Sequence, residues 1–160
     1  MSSELYFGKD LIFKDLEFSD NMEAIKFLSG KLYEKGFVKE EYQQAILDRE
    51  KEYPTALPSV DIKIAIPHAN HDLVNKAAIA IGILKNPVEF SSMEDPDIKL
   101  NVQIIIMLAL NEPHGHIEML QKIVKLIQNP EALKKIIKAS SIEEVMNKLE
   151  PFLIKNKSIS

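Results

Sequence analysis

The side chains most able to do chemistry in this sequence are its four histidines, which lie in two pairs. His68 and His71 follow a predicted strand, and His114 and His116 lie between a predicted strand and a predicted helix. If the two strands are parallel neighbours, both pairs lie at the edge of the sheet where open α/β folds bind ligands. The two loops would then converge on one site, although His71 and His114, taken singly, are more often ordinary surface or core-edge histidines.

One chemistry open to such a site is phosphoryl transfer with His68 as the nucleophile. A neutral imidazole nitrogen can attack phosphorus and form a phosphohistidine, provided that the ring is held in one tautomer. The reaction also needs donors directed at the phosphoryl oxygens. Arg49 is the only arginine among 20 basic residues, and a guanidinium can grip phosphate at two points. The alternative interpretation of Arg49 is structural: its aliphatic part packs against the protein and its guanidinium pairs with Asp48 or Glu52.

His116 lies at a predicted helix start, where backbone N–H groups favour anions. With His68 and Arg49 it would complete a site of phosphate size. A metal site is the alternative for the same region. The two histidine pairs, with Glu112 or Glu118, can supply a three-histidine or histidine–carboxylate zinc site. Against that alternative, the chain contains no HExxH helix motif.

Composition excludes several other classes of protein. The chain has 160 residues and no cysteine, which predicts one domain without thiol catalysis, disulfides or cysteine-based zinc sites. The net charge of −4 argues against a nucleic-acid partner, because phosphate backbones bind concentrated basic surfaces. Its apolar runs are far shorter than the ~20 residues of a membrane-spanning helix, and its start does not resemble a signal peptide. We therefore expect a cytoplasmic protein that needs no metal and no cofactor.

The elements that must position these residues begin with two helices. Residues 1–18 contain enough β-forming side chains for a short strand or extended arm, and Asp20 can cap the first helix. The second helix runs on from Val38 with an apolar face, and Arg49 falls on that face. We therefore expect Arg49 to point inward. Residues 53–59 are predicted to form a loop.

Three segments have strand patterns. Residues 60–66 alternate between apolar and polar, as a half-buried strand does, and Pro67 is expected to stop its hydrogen bonding. Residues 77–84 are apolar on both faces, as in a central strand. The dipeptide Asn86-Pro87 and an acidic loop over residues 91–97 are predicted to separate this strand from residues 98–110, which form a strand that enters the core along its length.

Three helices are predicted to follow. The first spans residues 116–128, and a short one opens at Pro130. The last is capped by Ser141 with Glu144 three residues on, and Pro151 bounds it. A helix pair, then strands, then helices predicts an α/β sandwich with helices for both faces of the sheet.

Four motifs of this chain stand in an order and spacing that resemble those of one family. They are REKEYPTALP (Arg49–Pro58), IAIPHAN (Ile64–Asn70), LKNPVEF (Leu84–Phe90) and LALNEPHGHIEMLQKI (Leu108–Ile123). These motifs are similar to those of the IIA component of the sugar phosphotransferase system, of the fructose/mannitol type and most similar to its galactitol-type branch. The resemblance implies a type-2 IIA domain over residues 1–153, with a central mixed β-sheet, followed by a polar tail over residues 154–160.

The function that the resemblance implies is that of a phosphocarrier. Family members accept a phosphoryl group from the carrier protein HPr on the histidine of the AIPH motif, here His68, and pass it to a IIB component. The family's arginine falls on Arg49 and its second active-site histidine on His116. Thr55 and Asn70 are candidates for the rim of the phosphate site. The family assigns no role to the other two histidines.

The resemblance also implies the partners. The chain lacks the cysteine of a galactitol-like IIB and the spans of a membrane component, so both would be separate chains. Any association with the membrane would then be indirect, through a IIB/IIC complex. A regulatory role is the alternative: proteins of the nitrogen-related branch resemble transport IIA domains but act by phosphorylation-dependent binding to other proteins.

Overall fold

A computed structural model of the protein describes residues 5–59 and 61–154. The described residues form one five-stranded sheet with α-helices on its two faces. The strands are β1 (Ile12–Leu16), β2 (Ala56–Leu57), β3 (Lys63–Ala65), β4 (Ala78–Ser91) and β5 (Lys99–Ala109). The helices are α1 (Asn21–Glu34), α2 (Tyr42–Glu52), α3 (Pro113–Ile127), α4 (Pro130–Lys138) and α5 (Ile142–Leu153).

The sheet is mixed, with the strand order β1-β4-β5-β3-β2. The long central pair, β4 and β5, is antiparallel. The strand β1 joins β4 in parallel, β3 joins β5 in parallel, and β2 is antiparallel to β3. This topology confirms the predicted α/β sandwich with a central mixed sheet. No helix among the described residues is long and apolar enough to cross a membrane.

Alternation along the central strands divides the core into two layers. Successive side chains of a strand point to opposite faces. Ala80 and Met107 therefore pack with residues of α1 and α2, and Ile81 and Ile106 pack with residues of α3, α4 and α5. Both faces of the central pair are thus covered, as the continuous apolar run of residues 77–84 predicts.

Side-chain caps determine where three of the helices begin. The Asp20 carboxylate accepts the Glu23 N–H at 2.9 Å at the start of α1. The Asn129 side chain accepts the Ala132 N–H at 3.1 Å at the start of α4. The Ser141 hydroxyl accepts the Glu144 N–H at 3.1 Å at the start of α5. These bonds satisfy backbone donors that a helix leaves unpaired at its start.

The first half of the chain departs from the sequence expectations in three places. The predicted loop over residues 53–59 contains β2, and α2 begins at Tyr42 instead of continuing from Val38. The predicted strand over residues 60–66 is confined to β3, which pairs with β2 on one edge and β5 on the other. It is buried on both faces, because Ile64 packs in one layer of the core and Ala65 in the other. Val60, which belonged to that prediction, lies outside the described residues.

The second half departs at its prolines. Asn86 and Pro87 do not end the strand, because β4 continues through them to Ser91 with a shift of its register against β5. The loop predicted over residues 91–97 does lie between β4 and β5. The helix α3 begins at Pro113, three residues before the predicted start. Pro151 lies inside α5 and does not end it. The predicted polar tail lies outside the described residues from position 155 onward.

Candidate functional site

The two histidine pairs lie at neighbouring strand ends because β3 and β5 are parallel. Beyond β3, the Pro67 carbonyl accepts the Leu108 N–H at 3.0 Å, so the pairing continues past the position where Pro67 was expected to stop it. Pro67 lacks an N–H but retains its carbonyl as an acceptor. His68 follows directly, and the centroid of its ring lies 4.7 Å from that of His116.

The ring of His68 is held in a defined tautomer. Its Nδ1 lies 2.8 Å from the Ile66 carbonyl oxygen. A carbonyl oxygen can only accept a hydrogen bond, so Nδ1 carries the proton and Nε2 carries a lone pair. Burial lowers the pKa of His68, and the charge of Arg49 lowers it further, while the bond to Ile66 opposes the shift. The neutral ring, which is the nucleophilic form, is therefore favoured at neutral pH.

His116 lies in the first turn of α3 and faces His68. Burial lowers the pKa of His116 to about 4. The charge of Arg49 acts in the same direction, as do those of His68 and His71 when their rings are protonated. Its Nε2 is buried and has no hydrogen-bond partner among the residues that the structure describes. A buried polar atom without a partner is uncommon, and this one belongs to a ring whose centroid lies 4.7 Å from that of His68.

Arg49 lies in the last turn of α2 and is exposed, so the expectation that it points inward is wrong. The buried face of α2 follows a spacing of four residues, from Tyr42 through Ile46 to Glu50. The guanidinium of Arg49 lies 5.5 Å from the centroid of the Tyr53 ring, which is within cation–π distance. Within residues 5–59 and 61–154 it forms no ion pair, so the predicted alternative of a paired Arg49 is absent there.

These three side chains line one cavity of about 350 Å³ between the end of α2, the ends of β3 and β5, and the start of α3. Its rim carries exposed apolar side chains, among them Tyr53, Met93 and Ile117. The cavity is lined by Arg49, Glu52, Tyr53, Pro54, Thr55, Ile66, His68, Met93, Pro96, Leu108, His116, Ile117 and Leu120. It combines a nucleophilic ring, a cation and a second imidazole, which is the combination that phosphoryl transfer requires.

The other predicted residues occupy different positions. Thr55 lines the cavity, but its hydroxyl hydrogen-bonds to Glu50. Asn70 is exposed and does not line the cavity. His71 begins a short 3₁₀ helix beside the site, and His114 is exposed on the first turn of α3. In the described part of the chain, no group of three or more histidines and carboxylates is arranged to hold a metal ion.

Sequence reasoning missed Glu50, the buried carboxylate of α2. Its two oxygens accept the backbone N–H and the hydroxyl of Thr55, each at 2.9 Å. Burial raises the pKa of Glu50 to about 7, although these hydrogen bonds and the charge of Arg49 oppose the rise. A signal was present: Glu50 follows Tyr42 and Ile46 at helical spacing on an apolar face, and a carboxylate there must have a partner.

The chain is similar to known proteins of one family. A model of the EIIA 2 family of the phosphoenolpyruvate-dependent sugar phosphotransferase system matches residues 5–151. The galactitol-specific EIIA component of Escherichia coli (strain K12) is 27% identical over 122 residues, which cover 76% of this chain and 81% of that protein.

Two solved structures share the fold. A chain in the complex of enzyme IIAMTL and phosphorylated enzyme IIBMTL from Escherichia coli has 27% identity and a TM-score of 0.76, over 91% of this chain and 98% of its own. The nitrogen regulatory protein IIA-Ntr from Neisseria meningitidis has 25% identity and a TM-score of 0.71, over 91% of this chain and 95% of its own.

The fold and the family match define a phosphotransferase whose task is to carry a phosphoryl group. The chain belongs to the EIIA 2 family of the phosphoenolpyruvate-dependent sugar phosphotransferase system, as its motifs indicate. Galactitol-specific, mannitol-system and nitrogen-regulatory proteins all occur among its relatives, so membership of the family does not specify a sugar.

Proposed function

We propose that this protein accepts a phosphoryl group from phospho-HPr on Nε2 of His68 and passes it to a IIB component. The observation that carries this proposal is the pair of imidazole rings at the cavity, whose centroids are 4.7 Å apart. Nε2 of His68 has a lone pair because Nδ1 donates to Ile66, and Nε2 of His116 is buried with no hydrogen-bond partner among the described residues. The neutral tautomer of His68 suits a nucleophile toward phosphorus.

The first transfer balances without a proton movement at His68. The Nε2 lone pair forms a new N–P bond while the P–N bond to the donor histidine breaks, and that bond's electron pair stays on the donor ring. The Nδ1 proton stays on its hydrogen bond to the Ile66 carbonyl. In the second transfer, a cysteine thiolate of the IIB component attacks phosphorus, and Nε2 of His68 regains its lone pair.

Arg49 and His116 are proposed to stabilise the charge on the phosphoryl oxygens. The exposed guanidinium of Arg49 lies on the rim of the cavity and has no ion-pair partner among the described side chains, so it is available to an arriving anion. We assign Nε2–H of His116 as the donor to one phosphoryl oxygen. Donors already in place at a developing charge supply a large part of the rate in such reactions.

The test is intact-mass spectrometry after incubation with phosphoenolpyruvate, Enzyme I and HPr, at neutral to alkaline pH. We expect one added phosphate in the wild type and none in His68→Ala. His71→Ala is the matched control, because His71 lies on the same loop but does not line the cavity. An unmodified wild type, with HPr active on a known IIA protein, would refute the proposal.

We further propose that the acceptor is a galactitol-like IIB and that the protein acts in the cytoplasm, joined to the membrane only through IIB/IIC. The galactitol-specific EIIA component, 27% identical over 81% of its length, is the relative on which this choice rests, and the mannitol-specific EIICBA component, 30% identical over 22% of its length, is the competing one. Transfer of the phosphoryl group from the phosphorylated protein to purified galactitol-type IIB tests it, with mannitol-type IIB as the comparison. Faster transfer to the mannitol-type protein would contradict it.

A regulatory role is the second candidate, because the chain is also similar to the nitrogen regulatory protein IIA-Ntr over 91% of its length. In that case His68 is phosphorylated but no IIB accepts the group. Phosphorylation of His68 combined with failure of transfer to every IIB encoded nearby would favour the regulatory role over transport.

A further inference from the structure

A continuous series of hydrogen bonds joins α2 to the ring of His68. The Glu50 carboxylate accepts the N–H and the hydroxyl of Thr55, each at 2.9 Å. The Thr55 carbonyl accepts the Ile66 N–H at 3.2 Å. The Ile66 carbonyl in turn accepts the Nδ1–H of His68 at 2.8 Å. Four residues, which the chain places in two separate segments, thus form one path that ends at the nucleophile.

Packing alone does not explain why polar groups occupy this position. Glu50 is 7% exposed and Thr55 is 2% exposed, and both lie beside the apolar layer of α1 and α2. Burying a carboxylate is unfavourable even when it is hydrogen-bonded, and an apolar side chain of similar size would avoid that cost. The pair therefore points to a role other than stability.

The same pair also orders the end of α2. Glu50 follows Arg49 in the chain, and the Tyr53 N–H bonds the Arg49 carbonyl at 2.6 Å. Between Glu50 and Thr55 the chain turns from α2 into β2, and the two bonds to the carboxylate close that turn. The turn also carries Tyr53, against whose ring the Arg49 guanidinium lies.

We propose that Glu50 and Thr55 are positioning residues for phosphoryl transfer, which hold the Ile66 carbonyl on Nδ1 of His68 and Arg49 at the rim of the cavity. This inference rests on the proposed function of His68. Neither residue touches phosphorus. Their effect is to keep the lone pair of His68 on Nε2 and to keep the cation in place before the donor arrives.

Loss of the pair should act on the chemical step. A ring released from Ile66 can adopt the tautomer with its proton on Nε2, which has no lone pair directed at the donor. Small displacements of reacting groups lower rates on the order of tenfold to a hundredfold. We therefore expect Glu50→Met and Thr55→Val to slow phosphorylation of His68 by about tenfold or more, with little change in the KM for phospho-HPr.

The variants are chosen to keep the shape of the site. Thr55→Val removes only the hydroxyl bond, and Glu50→Met removes both acceptors while it retains an unbranched side chain. Thr55→Ser and Glu50→Gln should restore most of the rate, because each can still bond its partner. Ser29→Ala is the matched control: it removes a buried 2.7 Å bond to the Ile25 carbonyl in the same layer, away from the cavity.

Two readouts separate this inference from a merely structural role. One is the phosphorylation rate from phospho-HPr, resolved into kcat and KM. The other is the ¹⁵N NMR signature of the His68 tautomer above its pKa, which needs no donor protein. A single Nδ1–H tautomer in the wild type and Ser29→Ala, with a mixture in Glu50→Met and Thr55→Val, is the expected result.

The outcomes also distinguish this inference from the proposed function. Suppose that HPr phosphorylates the wild type, that Glu50→Met and Thr55→Val are phosphorylated at the wild-type rate, and that His68 keeps a single tautomer in both variants. That result would overturn the positioning role and leave the proposed function standing. If HPr does not phosphorylate the wild type, the proposed function is overturned. A mixture of His68 tautomers in the two variants would then still support the inference that Glu50 and Thr55 orient the His68 ring. If Glu50→Met fails to fold, Thr55→Val decides the question.

Discussion

Replacing Glu50 by glutamine should change the way in which the stability of the protein depends on pH. Glutamine can keep both bonds, because its carbonyl accepts the Thr55 N–H and its amide donates to the Thr55 hydroxyl. It differs from glutamate in that it cannot ionise. The substitution therefore removes the charge and leaves the geometry in place.

The magnitude follows from the shifted pKa. Burial raises the pKa of Glu50 from its ordinary value of 4.5 to about 7 in the folded protein. Between these values the folded state holds a proton that the unfolded state has lost, so the free energy of unfolding falls as the pH rises. At ~1.4 kcal/mol for each pH unit, the interval corresponds to about 3 kcal/mol.

The assay is urea unfolding of Glu50→Gln and wild type, followed by circular dichroism, at several values between pH 4 and pH 8. Relative to the wild type, the free energy of unfolding of Glu50→Gln should rise by about 3 kcal/mol between the low and the high end of this range. His116 titrates in the same window with the opposite sign, because burial lowers its pKa, but its contribution is common to both proteins and cancels in the difference. Ser29→Ala should differ from the wild type by the same amount at every pH. A constant difference for Glu50→Gln would refute the reasoning about burial.

Further expectations concern individual side chains of the site and one helix cap. His68→Ala should abolish phosphate uptake while unfolding free energy falls by ~1 kcal/mol or less, as one hydrogen bond predicts. Arg49→Ala should slow the transfer by roughly a hundredfold in stopped-flow assays, whereas Lys51→Ala, exposed on the same helix, should not. On phosphorylation of His68, the pKa of His116 should rise from about 4 in NMR titration, because a neighbouring dianion favours imidazolium; an unchanged pKa would place His116 outside the phosphate site. Asp20→Ala should lower the free energy of unfolding by ~1 kcal/mol without altering the phosphorylation rate.

Local sequence patterns predicted much of the architecture because they act over a few residues. The caps at Asp20 and Ser141 stand where their side chains can reach the backbone of the next turn. The apolar run of residues 77–84 supplies the first half of β4, which is apolar on both sides because helices cover both faces of the sheet there. Prolines were less informative: β4 passes through Pro87 where its register with β5 shifts, and α5 continues through Pro151 in its last turn.

The components of the site were also visible in the sequence, although their arrangement was not. The AIPH motif and the single arginine identified His68 and Arg49 as candidates, and the parallel strands predicted that His116 lies near His68. The predicted inward direction of Arg49 was wrong, because the buried face of α2 includes the next residue, Glu50, instead of Arg49. A shift of one residue turns a helix by about 100°, which is enough to exchange an inward position for an exposed one.

The family, the α/β order of elements and the identity of the reactive side chains follow from the amino-acid sequence, because these depend on local pattern and residue type. The fold was needed to show which nitrogen of His68 holds the proton and that Glu50 bonds Thr55. Those properties depend on distances between atoms in separate segments, as the 2.8 Å from Nδ1 to the Ile66 carbonyl illustrates. Hydrogen bonds select a tautomer only at such distances, and the fold brings α2, β2 and β3 together to supply them.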